Sequence, residues 1–395
     1  MPLFDVAVIG AGPAGGSAAR HSVERGLKTV LLEEHKTVGE PVHCGECLSE
    51  IAMRRMDWKL PEKVVSENVK GVRVIFPNSE SSTVTEAGYV LEKQLFEQWI
   101  ANEAQKEGAE LLLDHKLLDL KRENSVWKLQ TNHGELQSKI VIDASGPATV
   151  ASRKLKLNPP IKSDLPFDTV TGIQYELLDI PRDGYLDFFL WPRLAEFGYL
   201  WMIPKKDGRA NVGLVTTQTS KAKVFLDTFV KEMDWEQKTK VKTFGGSIPH
   251  SGPVPNTYSE GLFLVGDAAG FTSPLFEGGT QLGLRSGQFA ATVAARSIRE
   301  NNFSKNNLAE YEKLWKKEFP SYAALLKGKK ALYGFSEEEL NQMAGILPKE
   351  MGNLKPTDKA KVGIKLLATH RHLLQKGAMD ALSAFAYSRA EFYGW

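Results

Sequence analysis

A glycine-rich turn near the start of the chain, Gly10-Ala11-Gly12-Pro13-Ala14-Gly15, constrains the fold more than any other feature. It follows an apolar run, Val6 to Ile9, and precedes a helix expected to begin near Ala14. A G-x-G-x-x-G turn between strand and helix bends the backbone tightly and brings its N–H groups against a pyrophosphate at the helix N-terminus. Gly10, Gly12, Pro13, Ala14 and Gly15 are therefore candidate cofactor contacts. A second apolar run, Thr29 to Leu32, ends in Glu33 about 20 residues on, where a carboxylate can accept hydrogen bonds from a ribose. These elements predict an α/β fold with a Rossmann-like nucleotide-binding domain, without separating FAD from NAD.

The run Gly266-Asp267-Ala268-Ala269-Gly270 separates them. It follows another buried-strand pattern, Leu262 to Val265, and opens another helix. An aspartate so placed suits the ribityl hydroxyls of a flavin, with the helix N-terminus toward the isoalloxazine ring. Each motif alone has an ordinary explanation, tight packing for the first and a common strand-end dipeptide for the second. Together, in this order, they predict FAD.

At 395 residues the chain is long enough for two or three regions with their own cores. A net charge of +2 gives no strong field for nucleic acid. Met1 leads within a few residues into a strand the fold needs, so no signal peptide is expected. No apolar run approaches the roughly 20 residues of a membrane span. A cytoplasmic location is expected, with a peripheral membrane contact left open. Cys44 and Cys47 lie in Cys-Gly-Glu-Cys, and no second pair exists to complete a zinc site, so no metal is predicted.

Between Thr169 and Thr217 four β-type runs are separated by turn residues such as Lys206-Asp207-Gly208 and predict an antiparallel meander. Gly245 to Pro249 is read as the return to the first domain, and Thr37 to Ser49 as a loop. The expected organisation is a discontinuous FAD-binding domain (1–70, 88–155 and 245–300), an antiparallel β substrate domain (71–87 and 156–244) and a helical C-terminal region (301–395). That last region carries a Lys/Arg excess between Lys313 and Lys376. It reads either as a solvated helical face or as a surface that approaches anionic headgroups or a phosphorylated substrate. The terminal aromatics Phe385, Tyr387, Phe392, Tyr393 and Trp395 are expected to dock on the core.

With these motifs in place, the chain resembles the geranylgeranyl reductases, FAD-dependent members of the p-hydroxybenzoate hydroxylase-like flavoprotein superfamily, which saturate isoprenoid double bonds, notably in archaeal membrane lipids. The resemblance is carried by Gly10 to Gly15, Glu33, Glu40-Pro41-Val42-His43-Cys44-Gly45-Glu46, Tyr89 to Phe96, Asp143 to Gly146, Tyr199-Leu200-Trp201-Met202-Ile203-Pro204 and Gly266 to Gly279. The Pro-Val-x-Cys-Gly-Glu and Tyr-x-Trp-x-Ile-Pro runs are its most selective parts. By position it implies that Ala14, Glu33, Cys44, Gly45, Asp267 and Gly279 contact the flavin, with Lys93 and Leu117. Cys47, Lys93 and Thr280 depart from the usual glycine, arginine and apolar residue and stand in the same cofactor shell. Tyr199, Trp201 and Pro204 are implied to line the isoprenoid tunnel.

The implied chemistry is hydride addition from reduced flavin N5 to one alkene carbon and proton addition to the other. Cys44 is the favoured donor, because a thiol of ordinary pKa about 8.5 stays protonated at neutral pH. Glu46 is a second catalytic candidate that would orient water, and Glu277 is another acid in view. The ordinary alternatives are a packed cysteine, a redox Cys-x-x-Cys pair and core packing of Trp201. A flavin monooxygenase or halogenase is the competing enzyme reading, since halogenases carry a Trp-x-Trp-x-Ile-Pro run. A non-catalytic flavin or lipid-chain binder is the other. The partners expected are a prenyl lipid and an electron donor, NAD(P)H or reduced ferredoxin. No second G-x-G-x-x-G exists for a nicotinamide domain.

Overall fold

The computed structural model describes residues 2–42, 44–161, 165–352, 355–387 and 389–395, so His43 of the cysteine loop lies outside the described residues. The strand Leu3–Ile9 lies inside an eight-stranded sheet, with Thr29–Leu32 and Gly134–Asp143 parallel on its two sides. Glu110–Leu112 and Leu262–Leu264 extend the parallel set outward. Val6, Val8, Val30, Leu31, Ile140 and Val141 are fully buried, as expected of parallel strands covered on both faces. The hairpin Leu117–Glu123 and Val126–Thr131 adds two antiparallel strands beside Gly134–Asp143.

The helices Pro13–Val23 and Thr280–Glu300 pack on each other at very close range. A Cβ on Gly287 would stand 2.4 Å from the Ala14 carbonyl oxygen, and the Ser17 hydroxyl donates to the Leu284 carbonyl at 2.7 Å. The two nucleotide motifs, distant in sequence, are thereby held side by side.

The second sheet has seven strands in the order Lys240–Pro249, Thr169–Leu178, Arg209–Thr216, Tyr199–Pro204, Tyr185–Phe189, Gly71–Ile75 and Ser81–Val84. The four expected runs form its middle. Two expectations need correction. Gly71–Ile75 pairs parallel with Tyr185–Phe189, so the sheet is mixed. A long excursion through the first domain separates these strands, and no hairpin fixes their relative direction. Residues 245–249 are not the return to the first domain; they end the edge strand that pairs antiparallel with Thr169–Leu178. Gly245 and Gly246 hide that strand in the sequence because both line a cavity.

A third, small sheet joins Cys47–Ser49, Gly88–Leu91 and Val65–Val69. Part of the expected cysteine loop is therefore a strand, with Cys47 opposite Val90. Beyond Asn301 the chain is helical. Lys349 to Met351 lies against the outer strand, where Thr83 N–H donates to Lys349 O and Met351 N–H to Thr83 O, both at 2.7 Å. This covers an otherwise open sheet edge. Phe385, Tyr393 and Trp395 are buried against the core.

Candidate functional site

The glycines of the first motif are required for different reasons. Gly10 has φ +96°, and a Cβ there would come within 2.6 Å of the Ala144 carbonyl oxygen. A Cβ on Gly15 would fall 1.8 Å from the Gly10 oxygen, so this residue sets the contact of helix with turn. Gly12 differs: its backbone is extended, and a Cβ would meet nothing within 4 Å. The space in front of Gly12 is room for a ligand, not for packing. At the second motif Gly266 has φ +55°, and a Cβ on it would lie 2.8 Å from the Ala14 Cβ, so the two motifs touch.

Asp267 points into this space. Its Oδ1 accepts the Thr272 hydroxyl at 3.1 Å, and a Cβ on Gly279 would be 3.3 Å from the same oxygen. Burial pushes the Asp267 carboxyl up, against the pull of Thr272 and Lys93. A half-buried carboxylate on the cavity wall, with acceptor positions to spare, suits ligand hydroxyls. Open space at Gly12 and an under-used acid at Asp267 fit FAD.

Both motifs border one cavity of about 590 Å³. Of the expected residues, Gly12, Pro13, Ala14, Cys44, Gly45, Glu46, Cys47, Lys93, Asp267, Gly279, Thr280, Tyr199 and Trp201 line it. Gly10, Gly15, Glu33, Leu117 and Pro204 are not among its lining residues. Glu33 braces the glycine turn: Oε2 accepts the Ala11 N–H at 2.9 Å, while Oε1 accepts the His35 N–H at 3.0 Å. The Leu117 side chain packs in the apolar core of the first sheet. Pro204 faces away from the cavity because side chains alternate along a strand. Tyr199, Trp201 and Ile203 share the cavity face, whereas Leu200 and Met202 enter the core beneath the helix Ala222–Glu232. Ile203 was legible from that alternation and takes the place expected of Pro204.

The aromatic wall is held by its neighbours. The Tyr199 hydroxyl donates to the Phe276 carbonyl at 2.7 Å, and its ring lies 5.4 Å from Phe188 and 5.2 Å from Phe276. Trp201 lies over Gly213 of the next strand, where a Cβ would sit 2.5 Å from the indole. Gly213→Val is expected to cost about 1–3 kcal/mol by overpacking and to swing the indole out of position. Urea unfolding and near-ultraviolet circular dichroism check the two effects.

The Trp201 indole N–H donates to Gln174 Oε1 at 3.1 Å, and Gln174 Nε2 donates to the Cys44 carbonyl at 2.7 Å. Sequence reasoning missed Gln174, whose role depends on a strand far from the cysteine loop. Cys44 Sγ accepts the Glu46 N–H at 3.2 Å. Both cysteines are free thiols. Burial, then Cys44 and Glu46, push the Cys47 thiol well up, so it stays protonated.

Glu46, with φ +72°, is buried and already serves three donors. Oε1 accepts the Lys93 N–H at 3.0 Å, and Oε2 accepts Lys205 Nζ and Asn211 Nδ2, each at 2.6 Å. Lys205 also faces Glu92 at 3.2 Å and Glu176 at 3.8 Å, and Arg209 bridges the same two acids. These contacts fix Glu46 at the cavity wall and tie the cysteine loop to the second sheet.

Lys93 Nζ stands 3.4 Å from Thr280 Oγ1 and 3.4 Å from Glu97, which brings two departures from the family pattern together. Burial pulls Lys93 down, but Cys44, Glu97 and Glu46 outweigh it and keep the ammonium charged. Across the cavity, Glu277 pairs with Lys329 at 3.1 Å, and its Oε2 is buried without a hydrogen-bond partner. Burial pushes its carboxyl up, against Lys329 and Tyr199. It is a further carboxyl group on the cavity wall.

Residues 5–154 match the FAD dependent oxidoreductase family, and residues 168–248 match the geranylgeranyl reductase catalytic domain. The digeranylgeranylglycerophospholipid reductase of Methanocaldococcus jannaschii is 31% identical, over 96% of this chain and 98% of the relative. Reductase 2 of that name from Methanopyrus kandleri is 32% identical, over 94% and 98%. A solved geranylgeranyl bacteriochlorophyll reductase-like protein from Thermoplasma acidophilum superposes with a TM-score of 0.86 at 28% identity, covering 96% of this chain and 100% of that one. A flavin-dependent brominase superposes with a TM-score of 0.70 at 17% identity, over 97% of each chain, and shares the fold alone. The chain belongs to the geranylgeranyl reductase family of FAD-dependent oxidoreductases.

Proposed function

We propose that this protein saturates the C=C bonds of geranylgeranyl chains on a lipid precursor. One observation carries the reading: a single cavity joins both nucleotide motifs to an aromatic wall, with the cysteine loop between them. Gly12, Ala14, Asp267 and Gly279 would hold FAD, which when reduced would supply the hydride for one alkene carbon. Trp201, Tyr199, Phe188 and Ile203 hold the apolar chain and exclude water. An isolated alkene has no carbonyl to take up charge, so positive charge developing at the tertiary carbon is stabilised by the faces of Trp201 and Tyr199. Cys44 delivers the proton: its S–H bond breaks as the second C–H bond forms. Lys93, kept charged beside it, balances the resulting thiolate. Electrons come from NAD(P)H or reduced ferredoxin, and the lipid substrate places the work at a membrane surface.

Mixing flavin-reduced protein with geranylgeranyl lipids under anaerobic conditions is expected to add two hydrogens per double bond by mass spectrometry. Oxygen-dependent product would instead place the protein with the monooxygenases. Cys44→Ala is expected to slow turnover about 100-fold while the protein stays yellow. Lost colour would make Cys44 a packing residue, and full turnover would shift the proton to Glu277.

A further inference from the structure

The helix Pro356–Thr369 buries one side and exposes the other. Val362 and Leu366 are buried in the same apolar cluster as Val72, Val74, Phe188 and Trp201, which wall the cavity. The outward face carries Ile364 at 68% exposure and Leu367 at 53%, with Ala360 and Ala368 also exposed. These positions recur at spacings of three and four and form one stripe. Lys355, Lys359, Lys361, Lys365, Arg371 and Lys376 surround it, against Asp358 as the one acid from 355 to 376. Lys361 is 80% exposed with Asp358 at 4.0 Å, and Arg371 is exposed, whereas Lys365 donates to the Gly345 carbonyl and Lys376 to Glu339.

We infer that this helix docks the protein on an anionic lipid surface, with Ile364 and Leu367 dipping below the headgroups and Lys361 and Arg371 meeting the phosphates. The inference rests on the proposed lipid substrate and names the surface that substrate comes from. Two exposed large apolar side chains make a small area for a stable protein partner, which buries about 800 Å² per side. They suit a helix lying in the interface plane, where basic side chains reach out to headgroups from an apolar face. The buried side of this helix belongs to the same apolar cluster as the cavity wall, which links the docking face to the site through packed side chains.

The test is co-sedimentation of the full chain with vesicles of phosphatidylcholine alone or mixed with phosphatidylglycerol. The protein is expected to pellet with the anionic vesicles and to be released by salt. Lys361→Glu with Arg371→Glu is expected to weaken binding about tenfold or more, and Ile364→Ser with Leu367→Ser to weaken it too. Both variants should keep their flavin colour and their turnover of a short water-soluble prenyl substrate. No vesicle binding, or binding that survives both double variants, overturns the inference. A dimer that Ile364→Ser with Leu367→Ser dissolves, in place of vesicle binding, assigns the face to a second copy and also overturns it. Vesicle binding without turnover of any prenyl substrate would fault the functional reading and leave the docking surface standing.

Discussion

Gly12→Val is expected to yield a folded but colourless protein. The residue sits at φ −66° and ψ −176°, extended backbone that valine adopts freely, and its Cβ enters open space. Native stability should therefore change by no more than about 0.5 kcal/mol. The cost falls on the ligand, because the new methyl groups fill the space assigned to the pyrophosphate. A loss of about 4 kcal/mol, or about 1,000-fold in FAD affinity, is expected. Gly15→Val should behave differently: its Cβ would overlap the Gly10 carbonyl at 1.8 Å, so the turn itself fails. Visible absorbance, far-ultraviolet circular dichroism and urea unfolding separate the two outcomes. A yellow Gly12→Val protein would place the cofactor elsewhere.

Lys205→Met is expected to destabilise the fold by about 3–5 kcal/mol. The ammonium is 3% exposed and lies between Glu46, Glu92 and Glu176. Methionine fills the space but leaves Glu92 and Glu176 with Arg209, at the edge, as their remaining ion-pair partner in this group, and Glu46 with none in it. The pH dependence has a defined sign. Burial pushes the Glu92 carboxyl up, but Arg209, Ser66 and Lys205 outweigh it and bring it down from 4.5 to about 2. Its contribution is present above pH 4.5 and lost as pH falls toward 2. Removing Lys205 raises that folded-state value, so the variant has less left to lose. The stability gap between wild type and Lys205→Met should narrow as pH falls through that window. Urea midpoints measured across it check this, and a constant gap would remove Lys205 from the control of Glu92.

What was legible in the sequence follows from how local each constraint is. Gly10, Gly12 and Gly15 announce themselves because a tight turn and a close ligand allow few other residues. The Gly-Asp run is legible for the same reason. The aromatic wall was reached through the Tyr-x-Trp-x-Ile-Pro run. Strand alternation then corrects its far end, adding Ile203 and removing Pro204. Glu46 was read as a residue that orients water, and its ties to Lys205 and Asn211, 159 and 165 positions away, were not legible locally. The same distance hid the Gln174 bridge between Trp201 and Cys44. The parallel pairing of Gly71–Ile75 with Tyr185–Phe189 was hidden too, since a strand's own sequence does not encode its neighbour's direction. Leu117 shows the converse, where a position implied by family resemblance places an apolar side chain in the core.

The crossing of Pro13–Val23 and Thr280–Glu300 has a bearing on motion. With glycine against backbone at Gly287 and Ala14, the two helices interlock at a separation that leaves no clearance for one to slide along the other. The nucleotide end of the molecule should therefore behave as a stiff yoke through the catalytic cycle. A long hydrocarbon tail must be admitted by yielding elsewhere, and the helical shell behind Phe188 and Trp201 is where compliance should concentrate. Hydrogen exchange would show this as slow amides along the yoke and faster ones across that shell.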